Sequence, residues 1–264
     1  MKKYFTVWKM ELQRSMQFKA NFFLGLLSNL IPIIAVVILW SVVYQNKASI
    51  AGFSKAQLVS YYLLIYFTRT LLNILDPRLI CHEFYIGTFS NNLIRPINYF
   101  LFQFFQSLGS QTGKLIIMLL SIIVIYVTGS QNILFPISPL AFVSFLLSLV
   151  LSAALIYTFN FALGSVSFYV SDAANLPNAA DIVVDLFSGV FFPIVFLPHL
   201  LQNAAKLLPF AYFYSFPIDL YLGKLTVQAG ITGFLVMLVH LLISGLICRV
   251  LWKKGLDRYI AVGG

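Results

Sequence analysis

Long apolar runs alternate with short polar breaks along this chain, and the longest break, Asp76–Asn98, lies between two such runs. At 1.5 Å per residue, twenty-odd apolar residues in a helix cover a membrane core of about 30 Å. The runs at 21–44, 56–75, 99–128, 140–168, 176–196 and 226–251 therefore predict six spans. Ahead of them, Phe5, Trp8, Leu12 and Met16 recur at helical spacing, with Lys3, Lys9, Gln13 and Arg14 off that stripe. This predicts an amphipathic helix over 1–20 lying in the membrane interface, or else a basic flank that orients the first span. Lys9, Glu11, Arg14 and Lys19 break any signal-peptide core.

Several spans carry exceptions to the pattern. Pro32 is expected to kink the first. Arg69 lies in the second, where a charge must find a partner, water or the cytoplasmic end. The third is polar from Gln103 to Lys114 and apolar afterwards, so one side of its first half should meet a neighbouring helix or a cavity. Gly109 and Gly113, four apart, allow close helix contact there. In the fifth, Asp181 and Asp185 share a face and could line a cavity, bind a cation or protons, or pair with Arg69 or Lys114. The stretch 188–225 is broken by Pro193, Pro198, Pro209 and Pro217 and crowded with Phe191, Phe192, Phe210 and Tyr212. Short re-entrant helices at 197–225 on the far side, packed on protein, fit that pattern.

Composition agrees with this class. The 264 residues are 60% hydrophobic and 9% charged, with a mean hydropathy of +0.92. A soluble domain carries about 25% charged residues. The fold class is thus an all-α integral membrane protein, a single membrane domain over 1–264 with no room for a soluble catalytic unit. The net charge of +9 marks cytoplasmic loops and anionic headgroups rather than nucleic acid. Six spans put both termini and 76–98 on one side with Arg78, Arg95 and nine other cations, against Lys47, Lys55, Lys206 and Lys224 on the other. The positive-inside rule makes the cation-rich side cytoplasmic.

Chemistry is sparse. Gly113-Lys114-Leu115 lacks the upstream glycine and the final hydroxyl of a phosphate-binding loop. His82-Glu83 has no second histidine four residues after the first, and the three histidines are scattered. Cys81 and Cys248 are too few for a metal cluster, and a disulfide is not expected. No metal, no bound cofactor and no enzyme activity are expected of the chain itself.

Four stretches in order resemble the ABC-2 type permease family. They are the basic helix leading into span one, EFYIGTFSNNLIRP at 83–96, the run FYVSDAAN through FSGVFFPI to PIDLYLG, and the ending GLDRYIAVGG. The resemblance implies a permease subunit of an exporter for an amphiphile such as a drug, peptide, lipid or glycolipid, in a bacterial-type cytoplasmic membrane. It implies two permease halves, identical or paralogous, and a dimer of ATP-binding cassette ATPases carrying the ATP and Mg. It also makes 76–98 the coupling segment and the break after span five an outer gate, formed by Phe191, Phe192, Pro193, Pro198, Pro209, Phe210 and Tyr212. Bottom-up, Glu83 and Arg95 can make charge-assisted bonds to an ATPase groove, and Phe84, Tyr85 and Phe89 can fill it. Gly87 and Pro96 can shape the turns at either end. Arg69, Lys114, Asp181 and Asp185 are candidates for the path or the seam between halves. The alternatives are a non-transport scaffold or immunity subunit, and an ion-coupled secondary transporter using Asp181 and Asp185.

Overall fold

The computed structural model describes residues 2–16, 31, 34–129, 134–170 and 173–259. The Pro32 kink, residues 21–30 of the first span, the turn at 171–172 and the terminal glycines lie outside them. Eleven helices follow in order: α1 Lys2–Met16, α2 Ile34–Val43, α3 Lys55–Leu72, α4 Pro77–Tyr85, α5 Phe89–Leu93, α6 Tyr99–Gly129, α7 Pro139–Ser165, α8 Leu176–Phe187, α9 His199–Leu207, α10 Ser215–Tyr221 and α11 Val227–Leu256. A 3-10 turn, Val166–Phe168, extends α7, and two more flank α9 at Ile194–Phe196 and Pro209–Tyr212. Among the described residues, regular structure is helical apart from one isolated bridge between Ile50 and Phe53. By length and composition α7 with its extension and α11 can each cross a membrane, and α3 with α4, bent by 40°, makes a third if read as one span.

The bend has a local cause. Ser54 caps α3 in a reciprocal box with Gln57, and that helix ends at Leu72. Asp76 caps α4 and Pro77 opens it, as a proline suits a first helical position. Ending one helix and starting another inside an apolar layer strands backbone carbonyls, which cost free energy unless bonded. Gln111 of α6 donates to the Asn73 carbonyl, and Asn160 of α7 donates to the Leu75 carbonyl at 2.7 Å. One polar side chain from each of two neighbouring helices thus completes the break.

Gln106 and Thr112, also in the polar half of α6, face α1, which lies along it. Trp8 donates its indole N–H to Thr112 at 3.3 Å, Gln106 reaches Glu11 at 3.4 Å, and Tyr4 stacks on Phe105 at 5.6 Å. The small-residue pair serves this contact. A Cβ on Gly109 would lie 2.5 Å from the Trp8 carbonyl, and one on Gly113 2.5 Å from the Ser15 hydroxyl. Gly109→Val is therefore expected to push α1 away, at about 1–3 kcal/mol for overpacking. Limited proteolysis around residues 9–14 and a lower Tm would report it. Gly113→Ala meets only the end of a serine side chain and should be milder.

The span expected over 176–196 is shorter. Helix α8 ends at Phe187, because Gly189 takes φ +87° and Pro193 follows. Its 12 residues cover about 18 Å, well short of the membrane core. The backbone continues through α9, which packs on the neighbouring 3-10 turns, and α10, which packs on α7. Among the described residues, three apolar clusters hold the helices together, the smallest joining Phe216 and Leu220 of α10 to Met237 of α11. Of the larger two, one joins Trp40, Tyr61, Phe145, Leu155 and Phe213. The other joins Leu75, Ile80, Phe89, Tyr99 and Phe161, below the ends of α7 and α11.

Candidate functional site

The polar segment 76–98 folds as a helical hairpin. Gly87, at φ +74°, reverses the chain between α4 and α5 in a conformation that costs other residues strain. The reversal stacks Phe84 on Phe89 at 4.2 Å. Phe89 is fully buried. Around it stand Tyr259 at 5.1 Å, Tyr99 at 5.3 Å, Phe168 at 5.4 Å and Trp252 at 5.9 Å, all edge-on. The hairpin is thus bound to the ends of α6, α7 and α11 by aromatic packing, and Phe89 presents no ring outward.

Glu83 also turns inward. Its carboxylate accepts from Tyr99 Oη at 2.7 Å, Asn92 Nδ2 at 2.9 Å and Gln103 Nε2 at 3.3 Å. Gln103 is 1% exposed and also bonds Tyr99 Oη at 2.7 Å. Charge-assisted bonds of this kind tie α4 and α5 to the start of α6. What faces out is a different set. Tyr85 is 74% and Ile94 81% exposed, with Ile86, Leu93, Arg95 and Pro96 also open. Of the residues expected to meet a partner, Tyr85, Arg95 and Pro96 lie on that surface, while Glu83, Phe84 and Phe89 build its underside.

A second constellation joins this hairpin to α8. Asn178, Asp181 and Asp185 fall on one face of α8 at spacings of three and four. Arg78 of α4 donates Nε and Nη2 to Asn178 Oδ1 at 3.0 and 2.8 Å, and Nη2 also to Asp181. Its Nη1 reaches Asp76 at 3.1 Å. The bond to Asp181 pushes the Arg78 pKa up from its ordinary value, against a lesser opposing effect of burial. One turn further along α8, Asp185 meets Arg69 of α3 at 3.0 Å. The break at 73–76 lies between the two arginines, so α8 is bonded on both sides of the bend. Lys114 is exposed and takes no part in these pairs. Arg78, Asn92, Asn178, Tyr99 and Gln103 were not singled out by sequence. The one advance sign was Tyr99 and Gln103, four apart at the start of a span.

At the other end, Tyr61 is fully buried and donates to the Gly189 carbonyl at 2.9 Å, beside Ser215. Tyr62 donates to the Phe191 carbonyl at 2.9 Å. Phe191 and Phe192 are exposed, Pro193 is buried, and Pro198 is exposed ahead of α9. Pro209 opens the last 3-10 turn, where Phe210 stacks edge-on to Phe159 and Tyr212 lies beside His240. Lys224 donates to the Gly52 carbonyl at 3.0 Å and sits 3.3 Å above the Phe53 ring, tying the broken segment to the α2–α3 loop. Among the described residues, no three His, Cys, Asp or Glu side chains group as metal ligands.

These features define a helical integral membrane protein whose large polar hairpin is wired to α8 by ion pairs. Residues 30–263 match the family described as ABC-2 family transporter protein, and the chain belongs to that family. No curated protein matches it. Family membership makes the chain the membrane permease component of an ABC transporter, a transport subunit that works with an ABC ATPase.

Proposed function

We propose that the chain is one half of an exporter for amphiphiles, in which the hairpin 76–98 takes up motion from a cytoplasmic ATPase dimer and passes it to α8. The observation that carries this reading is the Arg78 fork, which bonds the exposed hairpin to Asn178 and Asp181 of α8. ATP draws the ATPases together against Tyr85, Ile86, Leu93, Ile94, Arg95 and Pro96. The hairpin moves, α8 and α3 shift at the seam with a second permease half, and the segment after α8 opens on the outside. Six spans with both termini in the cytoplasm, and a bacterial-type cytoplasmic membrane, complete the reading. The residues 197–225, with Phe191 and Phe192 at their approach, form the outer gate. An ion-coupled mechanism through Asp181 and Asp185 is less favoured, because both carboxylates already hold arginine partners.

The test uses the chain co-expressed with its ATPase and reconstituted in proteoliposomes. Truncating an interface anchor costs about 1–2 kcal/mol, so Tyr85→Ala with Ile86→Ala and Arg95→Ala should weaken ATPase retention by about tenfold or more. Substrate-stimulated hydrolysis should fall with it. Unchanged retention and stimulation would remove the hairpin from its assigned role, and transport that follows a proton gradient without the ATPase would favour ion coupling.

A further inference from the structure

A cavity of about 560 Å³ opens between α3 and α7, walled also by Ile123 of α6, by Leu134 and Phe135, and by Tyr221 of α10. That size falls in the range of about 300–1,000 Å³ usual for ligand sites. It lies away from the ion pairs. At about 100° per residue, Leu64, Phe67 and Leu71 fall on the side of α3 opposite Tyr62, Tyr66 and Arg69. The cavity is therefore a feature of one chain and not of the seam with a second half.

Its chemistry specifies the occupant. Among the described residues, two polar side chains line it, and both are engaged with one loop residue. Ser60 Oγ accepts from the Leu134 N–H at 2.9 Å, and Tyr221 Oη donates to the Leu134 carbonyl at 3.4 Å. The remaining wall is aliphatic and aromatic. The described wall offers an occupant apolar contacts and no unengaged donor or acceptor, which suits a hydrocarbon. Packed interiors do not keep voids of this size empty, because their linings lose dispersion contacts. The entrance lies on the outer face of α7, where the lining residues Phe142 and Leu146 are 42% and 46% exposed beside the more exposed Val143 and Leu147, and an apolar face on a helix long enough to cross a membrane suits lipid. The α3 wall from Ser60 to Leu71 runs about 16 Å, half of a core of about 30 Å. That is the depth of one leaflet.

We propose that this cavity holds one acyl chain of a membrane phospholipid, drawn in sideways from the leaflet on the side of the α2–α3 and α6–α7 loops. The chain completes the packing between α3 and α7 as a resident lipid. This goes beyond the transport reading and does not depend on it.

The full chain is purified in a delipidating detergent and its bound phospholipid is counted by native mass spectrometry. Wild type is expected to keep about one phospholipid per chain, and Leu64→Trp, which fills the cavity, to lower occupancy at least about fivefold, the low end of what overfilling a packed site costs. Leu147→Trp, exposed and outside the cavity, should keep wild-type occupancy. A second reading does not require the filled variant to fold. Phe67→Trp is loaded with phosphatidylcholine brominated at mid-chain, and wild-type fluorescence is subtracted to remove Trp8, Trp40 and Trp252. After detergent removes bulk lipid, quenching should persist in Phe67→Trp and vanish in Leu147→Trp. Wild type that retains no phospholipid, filled and unfilled chains with equal occupancy, or equal recovery of both fluorescent variants would each overturn the proposal.

Discussion

Arg78→Ala is expected to abolish most ATP-driven transport while leaving ATPase binding intact. The guanidinium spends its donors on Asp76, Asn178 and Asp181, and among the described residues it carries the side-chain hydrogen bonds from α4 to α8. The Arg78 and Asp181 side chains are 40% and 47% exposed, so solvent screens the pair and its loss should cost stability only about 0–1 kcal/mol. Coupling is read on a steeper scale, because even about 1 kcal/mol between two states is roughly fivefold in rate. Transport per ATP hydrolysed should therefore fall much further than Tm. A double-mutant cycle with Asp181→Ala sharpens the point. If the pair acts as a unit, the double variant transports no worse than Arg78→Ala alone. Independent, additive losses would show that the two residues do not work through each other.

The largest stability effect is expected at Phe89. Phe89→Ala removes the buried centre of five aromatic neighbours and should cost about 3–5 kcal/mol. Thermal unfolding of the purified chain in detergent checks this, with Phe89→Leu as the milder companion. Tyr85→Ala, four residues earlier and open to solvent, should leave Tm near wild type, since no packed neighbour is lost. If Phe89→Ala also left Tm unchanged, the hairpin would not be held by the cage of Tyr99, Phe168, Trp252 and Tyr259.

Much of this architecture was legible from periodicity. The apolar runs located α3, α6, α7 and α11, and the polar island located the hairpin, because burial in lipid and exposure to water select opposite residue types. The small-residue pair in α6 correctly announced a close contact, but its partner α1 could not be named, since Gly109 carries no information about what approaches it. The length of α8 was missed for a different reason. A hydropathy window averages through Ser188-Gly189, although one residue with positive φ ends a helix. Glu83 was read as outward because an acid in a polar island is ordinarily solvated. Its receptors, Tyr99 and Gln103, lie in what reads as the start of a span, and only the fold sets them opposite the carboxylate. The pairing of Asp185 with Arg69 is among the readings that charge and depth alone allow, whereas Arg78 reads only as one of the cations of the cytoplasmic side and its reach to Asn178 spans 100 residues.

The break at 73–76 gives α4 the mechanics of a lever. Its fulcrum is a point where the backbone carbonyls rest on the amides of Gln111 and Asn160, so the helix pivots without breaking its own ladder. Arg78 sits about 3 Å along the arm and Tyr85 about 13 Å, at 1.5 Å per residue. A displacement of about 4 Å imposed at Tyr85 therefore arrives at Arg78 as roughly 1 Å, with the force multiplied about fourfold by the same ratio of arm lengths. Under the proposed coupling, a long, soft push at the exposed tip would become a short, stiff one on α8.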